Sequence, residues 1–314
     1  MFESLDTIVI GTSLTELSDD VVRAGLDVAR ASGARVGLVH AFQPQWAYSA
    51  GPYLTETYIQ ETLEIEKNLA EERLASQIAR LGIRPEEIAG KVIAYGPAHR
   101  VVIEAAEEMN AGLIVVGSTE SPQLSKLFGS TADRVIRKAM RPVLMVRGRL
   151  QVPLRRVLLP VDLSPLSAVA FRKGLEILGQ IARGPGRELE ALFVISPQDR
   201  ELLAGKDLAP ASEAAALEEL ETFVSRNAAW SGQKPGTRLL YGEVEKEIRE
   251  RAGEWQADLV VLGTHGRGGF ERFLLGSVAA DVVRRGAASV LVIPPELAPE
   301  AVQTPVREAA AAFA

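Results

Sequence analysis

Short runs of aliphatic and β-branched residues alternate along this chain with longer stretches in which apolar residues recur every three or four positions. In the second half, Arg156–Pro160, Glu188–Ile195, Thr237–Tyr241, Asp258–Leu262 and Ser289–Ile293 predict strands. Between them, Ser167–Ile181, Glu213–Ala229, Val244–Ala252 and Ser277–Arg285 predict helices. Ser164-Pro165 has the form of a helix N-cap followed by proline at the first helical position, where a missing N–H costs nothing. The first half follows the same order, with a second helix, Glu56–Arg80, that is longer and strongly charged. Runs such as VLLPV, LIVVG and LVVLG are apolar throughout, which suits parallel strands covered on both faces by helices. Right-handed crossovers then predict an α/β fold with an open, doubly wound, mainly parallel sheet of five strands in each half.

The two halves are one pattern written twice. AGLIVVG at Ala111–Gly117 recurs as ADLVVLG at Ala257–Gly263, 146 positions on, and the same shift carries Tyr95-Gly96 onto Tyr241-Gly242. Gly129-Ser130 maps onto Gly276-Ser277 with one further residue in the intervening loop, and Thr7–Ser18 maps onto Arg156–Ser167. The seam falls in Arg147–Arg156, a stretch with Gly, Pro and four arginines but no sustained periodicity. The expected domains are residues 1–148 and 154–295, with the Ala-rich residues 296–314 as a tail.

Composition narrows the chemistry. A length of 314 residues accommodates two such domains. The chain carries 35 Lys+Arg against 41 Asp+Glu, with a net charge of −3 in each half, so a nucleic-acid surface, which depends on concentrated positive charge, is not expected. With no cysteine, disulfides, iron–sulfur clusters, thiolate zinc and a cysteine nucleophile are excluded. Met1–Thr7 carries acids rather than a basic segment, and no apolar run nears the roughly 18 residues of a membrane span. A cytoplasmic location without membrane association is expected.

In a doubly wound sheet a ligand sits outside the carboxyl ends of the strands, where strand order reverses. The fourth strand of the second half leads into Gly263-Thr-His-Gly266-Arg267, and Gly276-Ser277 opens the next helix. Glycine permits positive φ and close backbone approach, and a helix amino end offers free N–H groups to phosphate. Ser277 adds a hydroxyl and Arg267 an outer cation. Asp162, after the first strand, has the chemistry to accept hydrogen bonds from ribose hydroxyls or an adenine amino group. The plainer readings stay open: Gly263–Gly269 as an ordinary turn, and Asp162 as a helix or turn cap.

The spacing Gly263-x-x-Gly266-x(9)-Gly276-Ser277, after LVVLG and with Asp162 in LLPVD, resembles the universal stress protein family, and the resemblance extends over both halves as a tandem pair. It implies a Rossmann-like, adenine nucleotide alpha hydrolase-like fold and a stress-response regulatory role. In the ATP-binding branch of that family the matched glycines hold phosphates and ribose, and the Asp contacts the nucleoside. The resemblance adds Pro160 and Val278 beside these positions, and it places Ile195 and Leu262 near the adenine ring. Magnesium would enter with the nucleotide, held mainly by phosphate oxygens and water. The first half departs from the pattern: Gly117 remains, but Glu120 replaces the second glycine, one residue is missing before Gly129-Ser130, and Ser13 stands in the place of Asp162. A carboxylate in a phosphate cradle costs about 1 kcal/mol per close like-charge pair even in water, so the first half is not expected to bind ATP in this way.

Other classes fare worse. A dinucleotide fingerprint would occupy the first strand–helix turn, whereas here the glycines follow the fourth strand and Glu271 stands where a third glycine belongs. No Walker lysine follows them. His40, His99 and His265 lie in separate contexts; a lone His265 reads first as an exposed loop residue, and Glu243, Glu245 and Glu247 as a solvated helix start. No catalytic group and no dedicated metal site is therefore expected, with ATP hydrolysis slow if present. Two function classes remain: a regulatory protein that binds adenine nucleotide and meets a protein partner, or an interaction scaffold whose pocket is vestigial or takes another small ligand. Val143–Val146 and Val290–Ile293 close their domains as candidate pairing edges. In the resembled family domains dimerise through this strand, which implies an internal pseudo-dimer here. A further chain-to-chain contact would make a homodimer.

Overall fold

The computed structural model describes residues 5–43, 55–118, 131–181, 186–197, 209–229, 231–232, 234–264 and 275–295. It divides into two units, residues 1–152 and 153–314. The first contains β1 (Thr7–Gly11), α1 (Asp19–Ser32), β2 (Arg35–Phe42), α2 (Glu56–Leu81), β3 (Ile88–Tyr95), α3 (Ala98–Glu108), β4 (Leu113–Gly117), α4 (Thr131–Lys138) and β5 (Val143–Val146). The second repeats the series as β6 (Arg156–Val161), α5 (Pro165–Ile181), β7 (Glu188–Ile195), α6 (Ala209–Ala228), β8 (Gly236–Tyr241), α7 (Val244–Glu254), β9 (Leu259–Gly263), α8 (Ser277–Arg285) and β10 (Ser289–Ile293).

Within the first unit the strands lie in the order β3-β2-β1-β4-β5, and within the second β8-β7-β6-β9-β10. Every pair within a unit is parallel. Moving outward from the first strand puts two helices on one face, and the reversal after the third strand puts two on the other. Accordingly α1 packs on α2 and α3 on α4, and likewise α5 on α6 and α7 on α8. Because both faces are covered, the central strands are largely buried: Ile8, Val9 and Ile10 of β1 and Val157 and Leu158 of β6 are fully inaccessible.

The same local solutions recur in both units. Asn110 and Gln256, each just after a helix, take left-handed φ of 46° and 51°. Gly25 of α1 and Gly174 of α5 let those helices press on their sheets. A Cβ built on Gly25 falls 2.4 Å from Ile10 Cδ1, and one on Gly174 falls 2.5 Å from Val261 Cγ1. Helix ends shift slightly from the expected positions: α6 begins at Ala209 rather than Glu213, since Pro210 is tolerated in a first turn. Gly174→Ala should overpack this contact and lower stability by about 1–3 kcal/mol, read as a reduced denaturant midpoint with circular dichroism of the native state unchanged.

Candidate functional site

Strand order reverses between β6 and β9 in the second unit, and a crevice opens there for a physical reason. The two strands are in register only at Val157 with Leu259 and Leu158 with Val260. Pro160 lies inside β6, one residue short of its end, and has no N–H with which to extend the ladder. In the first unit the matched strands continue to a third pair, Ile10 with Val115, and Gly11 takes the place of Pro160. The second crevice thus begins one residue earlier.

Past Val161 the chain bends sharply, with Leu163 at φ 64°, as Leu14 does at φ 61° in the first unit. Each left-handed leucine costs about 1–2 kcal/mol, so the surroundings must hold the turn. Asp162 Oδ1 accepts the Ser164 N–H at 3.0 Å, Ser167 Oγ accepts the Asp162 N–H at 3.2 Å, and Ser164 Oγ accepts the Ser167 N–H at 3.1 Å. The last bond is the expected Ser164 cap. Asp162 is half-buried and does cap the turn. A carboxylate offers two acceptor oxygens, and this one is spent in part on the turn.

Across the crevice, the Thr264 N–H donates to Ile293 O at 3.1 Å and the Gly276 N–H donates to Thr264 O at 2.8 Å, which seats the start of α8 beside the end of β9. Gly276 is the N-cap, and among the described residues no side chain caps the first turn. The N–H groups of Ser277, Val278 and Ala279 occupy that first turn, and the Ala280 N–H donates to Gly276 O at 2.8 Å. Ser277 is exposed and Val278 half-buried. This end of α8 carries the partial positive charge that suits an anion. A narrow hollow lies alongside, bordered by Leu166, Val169 and Ala170 of α5 with Gly263, Thr264, Ile293 and Pro294. Ile195 and Leu262 are 4% and 5% exposed and sit in the core beneath the strand ends.

The first unit fills the same region with its own side chains. Val21 matches Ala170, and a Cβ on Gly117 would fall 2.7 Å from Val21 Cγ2. Ser13, in the place of Asp162, bonds Thr15 Oγ1 at 2.8 Å. Thr12 Oγ1 donates to Gln77 Oε1 of α2 at 2.9 Å, and Gln77 Nε2 donates to Asp19 Oδ1 at 2.8 Å. Arg80 grips Asp19 with two bonds of 2.8 and 2.9 Å. Gln77 is 1% and Asp19 5% exposed, so the helix α2 is locked onto the end of β1 by a buried polar network. The Arg80 guanidinium, opposed by burial and helped by Gln77, holds the Asp19 carboxyl below its ordinary range. His40 Nδ1 lies 2.9 Å from Thr12 O, and burial pushes its pKa down.

Comparison with known proteins follows the same duplication. The model of the universal stress protein family matches residues 4–147 and again 153–294. This chain belongs to the universal stress protein family, as a tandem pair. It is 28% identical over 309 residues to a universal stress protein of Mycolicibacterium smegmatis, covering 92% of this chain and 97% of that one. Universal stress protein G of Shigella flexneri is 35% identical over 133 residues, 42% of this chain and 90% of the relative. Among solved structures, a universal stress protein from Archaeoglobus fulgidus aligns with a TM-score of 0.62 at 23% identity, over 93% of this chain and 97% of the other, which establishes the shared fold.

Of the expected residues in the second universal stress protein domain, Pro160, Asp162, Gly263, Gly276, Ser277 and Val278 come together at the carboxyl ends of β6 and β9. Gly266, Arg267 and His265, like Glu120, Gly129 and Ser130 of the first domain, lie outside the described residues. Thr264 and Ala170 were not singled out by sequence reasoning. Thr264 works through its main chain, which no residue type announces. Ala170 was detectable by matching it to Val21 across the repeat. Among the described residues no group of three or more His, Asp or Glu side chains is placed to hold a metal ion, and no helix is long and apolar enough to cross a membrane.

The network at Asp19 has a testable sign. A carboxyl whose folded pKa is depressed contributes stability that is complete above its unfolded value, about 4, and is lost as pH falls through the folded value. Asp19→Asn should lower stability by about 1–3 kcal/mol at neutral pH, and the difference from the parent protein should shrink as pH drops below about 4, measured by urea midpoints across pH.

Proposed function

We propose that this tandem universal stress protein is a cytoplasmic regulatory protein that binds ATP in its second domain. The observation that carries this reading is the amino end of α8 behind Gly276, capped by no described side chain and bonded to the end of β9 at the point of strand reversal. The phosphates would lie against the first-turn N–H groups and the hydroxyl of Ser277, with Gly263 and Gly266 admitting close approach and Arg267 outside. Asp162 would accept hydrogen bonds from ribose hydroxyls beside its turn bond, while Pro160 keeps the crevice open. Ile195 and Leu262 would form the apolar floor under the base. A magnesium ion would come with the polyphosphate and be held chiefly by it. The first domain acts as structural or regulatory partner, its corresponding space being taken by Val21 and by the Thr12–Gln77–Asp19–Arg80 network.

Adenine nucleotide released on denaturing the purified protein, or ATP binding by the emptied protein in calorimetry, is the expected result. Absence of both at millimolar ATP defeats the proposal. Gly266→Glu, which copies Glu120 of the first domain, should abolish binding, and Asp162→Ala should weaken it about tenfold through the loss of charge-assisted bonds. Full affinity in Gly266→Glu would place the ligand elsewhere.

A further inference from the structure

The outer surface where α3 meets α4 in the first domain has a different charge from its duplicate. In the second domain the matched helices neutralise themselves: Arg249 Nε lies 2.6 Å and Arg285 an N–O distance of 3.1 Å from Asp281, and Glu245 stands at the start of α7. In the first domain Arg134 replaces Asp281, Ile103 replaces Arg249, Lys138 replaces Arg285 and His99 replaces Glu245. Arg100, Arg134 and Lys138 are exposed, and none of the three makes an ion pair with a described residue. All three are near enough to His99, half-buried at the start of α3, to add to the effect of burial in lowering its pKa. Asp133, the acid on α4, is already engaged by Arg137 at 3.0 Å, while Glu104 is exposed one turn beyond Arg100 without pairing to it. Met140, just past the end of α4, adds an apolar surface that is 43% exposed.

We infer that this face of the first domain docks an acidic segment of a partner protein, the cations of α3 and α4 meeting its carboxylates. Charge complementarity selects the partner. Three cations that pair with no described acid repel one another at short range, and a cation standing where the duplicate has Asp281 leaves the patch attractive to an anion from outside. The patch is only two helices wide on a chain of net charge −6. At physiological salt charges act over about 8 Å, so a short acidic segment gains the full patch while an extended polyanion also meets the repulsive remainder.

The test uses full-length protein and a short fluorescein-labelled Glu/Ala peptide, followed by anisotropy at low salt. Binding should weaken with added salt and fall about tenfold or more in the double variant Arg134→Glu, Lys138→Glu. Arg134→Gln, a milder change should the double variant not fold, should lose about threefold. Lys246→Glu on the matched face of the second domain should change affinity by less than about twofold. Unchanged affinity in the α4 variants overturns the proposal, as does tighter binding of a single-stranded oligonucleotide or of phosphatidylserine vesicles under the same conditions. ATP titration of the same variants separates this face from the nucleotide site, since its failure leaves ATP binding untouched.

Discussion

A parallel sheet buried on both faces has polar freedom only at its ends, and that constraint organises this protein. Most side chains along β1, β4, β6 and β9 are committed to the core. Polar groups must therefore gather where strands stop, and in the second domain a crevice opens where the first and fourth strands part company. Pro160 sharpens the effect because a residue without an N–H cannot keep β6 zipped to β9. The left-handed turn at Leu163, the Asp162 bond that holds it and the seating of Gly276 on Thr264 all follow from chain ends leaving that edge in a confined space.

The duplication provides an internal comparison under nearly constant fold. Matched elements show the same left-handed residues after β1 and β6 and after α3 and α7, so these backbone features belong to the architecture itself. Beside the shorter β6–β9 ladder, the differences among the described residues that bear on the site are side chains at the strand ends and on the outer helices. Val21 against Ala170 decides whether a hollow exists beside the glycine that ends the fourth strand. Thr12, Asp19 and Gln77 turn the end of β1 into a satisfied, buried polar network. In the second domain Val161 and Ala168 stand in the places of Thr12 and Asp19, and α6 is tied to α5 instead, where Arg172 donates to Asn227 Oδ1 at 2.6 Å. A region whose polar groups already satisfy one another offers little to a ligand. One copy invests its polar residues in holding α2 and the other leaves donors facing outward.

Much of this was legible from residue order. The apolar runs LIVVG and LVVLG became β4 and β9, and the long charged pattern from Glu56 became the 26-residue α2 because periodic burial of Ala70, Leu74 and Gln77 suffices to dock it. Ser164 capped α5 as its position before Pro165 indicated. What stayed hidden has a common cause. Thr264 acts through its carbonyl, Pro160 through a missing donor one strand away, and Gln77 through partners 58 and 65 residues distant in the chain. Asp162 was left open between two roles, and the turn-capping one is realised in the hydrogen bonds.

The sequence by itself determined the duplication, the parallel α/β order of each half and the asymmetry between Asp162 and Ser13, because repeated words, apolar periodicity and residue identity are all local properties. Only the tertiary structure decided where the crevice opens, that the amino end of α8 is tied to β9, and that the first domain ties α2 to the end of β1 through a buried polar network. Those outcomes depend on which groups meet across strands and helices far apart in the chain, and pairwise meeting in space is a property that no single stretch of residues carries.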